Sequence, residues 1–130
     1  MPAGSTMYER VGGDAFFDDL TRTFYEAVET DSVLRPLYPK GAAGLERSRV
    51  HLRDFLIQFW GGPSVYRETR GEPRLARRHA RFAIGQAERD AWLSHMTDAM
   101  RAAGLRPLDE AQMLSHFRGS ADTLVNRPST

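Results

Sequence analysis

Glycine and proline, clustered rather than scattered, constrain this chain most: they fall at residues 12–13, 39–44, 61–63, 71–73 and 104–107, and at 128. These residues end helices and start turns, so the intervals between them set the length of any regular element. Within the intervals the apolar residues recur at helical spacing and never alternate as in a half-buried strand. Phe16, Phe17, Leu20, Phe24, Ala27 and Val28 make one stripe after Asp14, which reads as an N-cap. Leu45, Leu52, Phe55, Leu56 and Phe59 make a second, with Arg47, His51, Asp54 and Gln58 on the opposite, polar face. Trp92, Met96, Ala99, Met100 and Ala103 give a third. Met113, Leu114, Phe117, Ala121, Leu124 and Val125 give a fourth, behind a cap expected at Asp109. The expectation is an all-α fold with four long helices.

A length of 130 residues suits one domain over 1–130, with 1–6 and 127–130 read as flexible tails. The net charge of +1 gives no field strong enough to argue for nucleic acid or a membrane surface. Cysteine is absent, which removes disulfides, thiolate metal sites and thiol nucleophiles together and leaves His, Asp, Glu or Tyr to hold any metal. The opening MPAGSTMYER lacks a secretory apolar stretch and no later run is long enough to span a bilayer, so a soluble cytoplasmic protein is expected.

Residues 64–84 are too interrupted for one long helix and too apolar for a mere linker. If Pro73 opens a short helix there, Leu75, His79 and Phe82 share one face, with Arg74, Arg77, Arg78 and Arg81 around it. Of the four histidines, His51 and His116 fall on polar flanks, and His95 lies at the margin of its stripe. Only His79 joins an apolar face to an arginine fringe. That pattern suits a haem, which needs an apolar cleft, a neutral imidazole for its iron and cations for its propionates. It equally suits a core histidine beside a solvated basic face.

The segment WGGPSVYRETRGEPRLARRHARF, residues 60–82, resembles the signature of the truncated haemoglobins, specifically their group II. MYERVGG at 7–13, FYEAVETDSVLRPLYP at 24–39, ERDAWL at 88–93 and SADTLVN at 120–126 extend the resemblance over residues 8–126. It implies the truncated globin fold, two antiparallel helix pairs (2-on-2) around a haem b, iron protoporphyrin IX. The position of His79 matches the proximal iron ligand. Tyr25, Tyr38 and Trp92 match the polar aromatics of the distal pocket, with Ser48 at the distal gate. Leu52, Phe55, Leu56 and Phe82 match positions that pack on the porphyrin. Tyr66, Arg78 and His51 match positions that meet the propionates. A serine at the gate and a histidine at position 51 depart from the common pattern. The hydroxyl of Ser48 offers a weak hydrogen bond or admits water, and His51 would make propionate pairing depend on pH.

The partners implied are diatomic gases (oxygen, nitric oxide, carbon monoxide), peroxide, an unknown reductase and a second copy in a homodimer. Three donors around a ligand of partial negative charge slow its release, which favours sequestration or redox chemistry, such as nitric oxide dioxygenase or peroxidase activity, over bulk oxygen transport. An oxygen carrier and a haem-free helical scaffold are the alternatives. An arginine-rich DNA-binding helix spanning 74–81 is opposed by the near-neutral charge and by Phe82 within the cluster. A carboxylate-bridged metal bundle lacks the paired Glu-x-x-His motifs it needs.

Overall fold

The computed structural model describes residues 5–72, 79 and 84–126. The elements run α1 (Met7–Val11), α2 (Gly13–Thr30), a single 3-10 turn (Arg35–Leu37), α3 (Gly41–Phe59), α4 (Val65–Arg70), α5 (Gln86–Ala102) and α6 (Pro107–Leu124). Among the described residues there is no strand. The four expected long helices are α2, α3, α5 and α6. The segment at 64–84 contributes a short helix, α4, and His79, itself helical. The helix expected from Pro73 onward, with Leu75, Arg78 and Phe82, lies outside the described residues.

Two antiparallel pairs build the fold: α2 packs on α3, α5 packs on α6, and the pairs meet where α2 crosses α5. The apolar stripes face this crossing. Phe17, Leu20, Phe24 and Val28 of α2 are buried against Leu56, Met96, Met100, Met113 and Phe117. Sealing a side chain of this size from water is worth about 1.5–3 kcal/mol. Phe59, at the last turn of α3, departs from its stripe and is 47% exposed.

Both expected N-caps are displaced. Gly12, at φ 118°, stands at the cap of α2, and Asp14 lies in the first turn, where it accepts the Tyr8 hydroxyl at 2.8 Å. In α6, Pro107 takes a first-turn position behind Arg106, and Asp109 is carried inside the helix. There its buried carboxylate accepts from Arg10 Nε at 3.2 Å, tying α1 to α6 while facing the positive end of the helix dipole. Thr6, read as part of a tail, is the N-cap of α1 in a reciprocal capping box with Glu9.

The Gly61-Gly62 turn joins the end of α3 to α1. Gly61 has φ 99°, and a Cβ on Gly62 would sit 2.6 Å from the Tyr8 ring and 2.7 Å from Ile57, so only glycine fits. Between α2 and α3 runs a polar seam. Asp18 accepts from Arg49 Nη1 at 2.8 Å, Arg53 Nη1 at 3.2 Å and Arg22 Nη2 at 2.6 Å. Arg49 also grips Glu46 with two nitrogens, at 2.8 and 2.7 Å. Hydrogen bonds from Arg49 above all hold the Asp18 carboxyl down at about 2.

Candidate functional site

Beyond the seam the helices part around a cavity of about 1010 Å³, lined from α2, α3, α4, α5, α6 and the loop after α2. Every residue singled out in the sequence and described by the structure lines it: Tyr25, Tyr38, Ser48, His51, Leu52, Phe55, Leu56, Tyr66, His79 and Trp92. Arg78 and Phe82 lie outside the described residues. Residues far apart in sequence thus converge on one space.

Tyr25, Tyr38 and Trp92 form a continuous aromatic wall. The Tyr25 and Tyr38 rings meet edge-on with centroids 5.4 Å apart, and Phe24 links Tyr25 (5.1 Å) to Trp92 (5.3 Å) from behind. Burial, followed by coupling to Tyr38, pushes the Tyr25 hydroxyl well above its ordinary range. Tyr38 exposes part of its ring, but its enclosed hydroxyl is pushed up to about 12 by burial, against the opposing effect of hydrogen bonding with Tyr25 and Trp92. Both phenols stay protonated at neutral pH, so both remain donors.

Ser48 is placed at the cavity but its Oγ donates to the Gly44 carbonyl at 3.3 Å, one turn back along α3. Its proton is therefore engaged, and only its lone pairs face a guest. Leu52, Phe55 and Leu56 supply the apolar wall from α3, with Phe55 edge-on to Tyr66 at 5.7 Å.

Arg47, Arg70 and Arg89 line the cavity, and His51 lies beside Arg70. Arg70 Nη1 lies 3.2 Å from His51 Nε2 and its guanidinium 5.8 Å from the Tyr66 ring centre. Arginine only donates, so a hydrogen bond at this contact requires the His51 nitrogen to accept.

His79 is half-buried, and Asn126 fastens its segment. The Asn126 side chain donates to the His79 carbonyl at 3.3 Å and accepts from Ile84 N at 2.9 Å, while its own N–H reaches Ile84 O at 2.8 Å. Sequence reasoning assigned Asn126 no role, although it closes the SADTLVN segment.

His116 does not keep to a polar flank. Its ring stacks on Phe59 with centroids 4.1 Å apart, meets Trp60 edge-on at 5.2 Å and lines the cavity. Burial lowers its pKa, favouring the neutral ring. Phe117 on its own helix is one aromatic neighbour, but Phe59 and Trp60 come from the end of α3 and the residue after it, which periodicity along α6 cannot reveal.

The family model of bacterial-like globins matches residues 6–126. The chain belongs to the bacterial-like globin family. Within it, this globin is a truncated haemoglobin of group II. It is 40% identical over 120 residues to the group 2 truncated hemoglobin YjbI of Bacillus subtilis, covering 92% of this chain and 88% of that protein. Its structure is similar to that of the hemoglobin from the thermophilic phototrophic bacterium Chloroflexus aurantiacus, with a TM-score of 0.90 at 46% identity, covering 95% of this chain and 99% of that one. It is also similar to a truncated oxygen-avid haemoglobin from Bacillus subtilis, with a TM-score of 0.86 at 34% identity over 94% of this chain and 100% of that one. Membership carries a haem-binding role and, through the haem, binding of diatomic gases such as oxygen.

The lining fits that group on its own chemistry. Among the described residues no three His, Asp or Glu side chains gather to hold a bare ion, whereas a haem asks the protein for a single imidazole, an apolar slot and cations at its edge. Side chains of each kind line the cavity: Leu52, Phe55 and Leu56 are apolar, Arg47 and Arg70 are cations, and His79 is an imidazole.

Proposed function

We propose that this globin retains small oxygen-type ligands for redox chemistry, and that His79 is the residue that would hold the iron of haem b. Tyr25, Tyr38 and Trp92 are the donors that hold the ligand. When bound, the haem supplies the iron centre at which a gas or peroxide is held and electrons are exchanged. One observation carries the reading: three polar aromatics from α2, the following loop and α5 share one cavity with His79.

A ligand of partial negative charge gains from each N–H or O–H turned toward it, and gains more where water is excluded. Because both phenols are held protonated, the donors persist across the neutral range. At about 1 kcal/mol per net hydrogen bond, three donors slow release by roughly two orders of magnitude. Such retention suits a detoxifying or sequestering role better than delivery, and oxygen avidity is the property stated for the solved Bacillus subtilis relative. Leu52, Phe55 and Leu56 keep water from the apolar faces, and Tyr66, His51 and Arg70 meet the propionates. A reductase is the partner this chemistry requires.

The test is nitric oxide consumption by the oxygenated, haem-loaded protein with a reductase supplied. Sustained turnover that falls in a Tyr25→Phe, Tyr38→Phe double variant supports the proposal. Stoichiometric consumption without turnover, at a release rate typical of an open apolar pocket, contradicts it.

A further inference from the structure

The loop between α2 and α3 is held at both ends by side chains outside the cavity wall. At its root, Asp31 Oδ1 accepts the amides of Val33 at 2.7 Å and Leu34 at 3.0 Å. At its far end, the Arg35 guanidinium donates to the carbonyls of Tyr38 at 3.4 Å, Pro39 at 2.9 Å and Gly41 at 3.4 Å. The remaining carboxylate oxygen of Asp31 is 2.6 Å from His95 Nε2, across a sequence separation of 64 residues. His95 lies on α5 three positions beyond Trp92, on a neighbouring part of the same helix surface.

From this geometry we infer that the His95–Asp31 pair is a positioning device: it fixes the loop bearing Tyr38 to the helix bearing Trp92, and its grip on a bound ligand changes with imidazole protonation. The ligand half of the inference rests on the reading of Tyr38 and Trp92 as ligand donors.

An ionised Asp31 only accepts, so Nε2 carries a proton in both charge states of His95. Protonation at Nδ1 then adds a full positive charge and converts an ordinary hydrogen bond into a charge-assisted one. The two side chains are 26% and 18% exposed, enough enclosure to limit screening by salt. Asp31 is the carboxylate facing His95 from the end of α2. Along α5, Asp98 stands one turn away and exposed. From α6, Asp122 pairs with Arg89 at 2.7 Å, nearly two turns before His95. Among the described residues Asp31 alone forms an ion pair with the imidazole.

The charge-assisted pair holds the loop most tightly and releases ligand slowest, and the neutral pair releases it faster, a contrast sought by comparing release over a range from about pH 5 to about pH 8. The expected change is roughly two- to five-fold, the difference between a charge-assisted and a neutral bond that is partly open to water.

The experiment measures oxygen release by stopped flow across that range on haem-loaded wild type, His95→Gln, Asp31→Asn and Tyr38→Phe. Amide hydrogen-exchange protection at Val33 and Leu34 is followed on the same samples. Glutamine keeps a neutral donor, so His95→Gln is expected to show a flat profile at the wild-type high-pH rate. Asp31→Asn keeps a side-chain oxygen for the Val33 and Leu34 amides but loses the charge, so it is expected to be flat with protection at both amides retained. A His95→Gln protein that keeps the wild-type pH profile overturns the proposal. A Tyr38→Phe protein releasing ligand at the wild-type rate overturns the reading of Tyr38 and with it the ligand half of the inference. The positioning half is then decided by exchange alone: pH-dependent protection that vanishes in His95→Gln upholds it, and protection indifferent to that change removes it.

Discussion

The pair α2 and α3 does two different things along its length. Around Asp18 and Arg49 the helices are sewn together by charges that saturate one another: one carboxylate meets three guanidinium groups, and the nearly buried Arg49 spends its donors on Asp18, Glu46 and Thr21. Around Tyr25 and Ser48 the same helices line a cavity, and their polar atoms are phenols kept protonated by burial rather than ions neutralised by partners. The seam spends polar groups on holding the fold, and the cavity keeps them available for a guest. Stability and ligand grip should therefore be separable by mutation.

The largest effect is expected in the seam. Replacing Arg49 with Met leaves Asp18 and Glu46 without their shared cation and should cost about 2–4 kcal/mol in denaturant unfolding, with oxygen release from the haem-loaded protein unchanged. The seam also sets an acid limit. The Asp18 pKa is lower in the folded protein than the ordinary 3.8, so its contribution is complete above that value and is lost as pH falls toward about 2. Unfolding midpoints across that window should converge for wild type and Asp18→Asn, and parallel curves would break the comparison.

The cavity should respond in the opposite way. Tyr25→Phe removes a donor but little volume, so unfolding should shift by less than about 0.5 kcal/mol while oxygen release accelerates roughly five- to tenfold. The smallest effect belongs to Ser48→Ala: with its proton given to Gly44, the serine changes release by less than about twofold. A large acceleration there would mean that the hydroxyl turns to the ligand.

The sequence made the helices legible because Phe17, Leu20, Phe24 and Val28 repeat at a spacing that only a helix can bury on one side. In the cavity lining, His79 stood out by its own pattern, but the polar aromatics were legible only through the resemblance, since nothing local distinguishes Tyr25 from an ordinary boundary tyrosine. What stayed hidden depends on contacts between distant segments. Asp14 and Asp109 looked like caps because the pattern shows where a helix begins, not that Tyr8 and Arg10 will claim those carboxylates. The buried Arg49 gave no signal, because its partner Asp18 is a helix away, and the use of Asn126 to hold Ile84 and His79 appears only once α6 is packed.

The central claim is that one imidazole in this cavity carries the haem. The most direct measurement is the absorption spectrum of His79→Gly beside wild type, purified in the same way, before and after addition of free imidazole. A Soret band that is lost or strongly shifted in the variant and returns with imidazole is the predicted result. A variant with the wild-type spectrum, insensitive to imidazole, would place the iron on another residue and contradict the account.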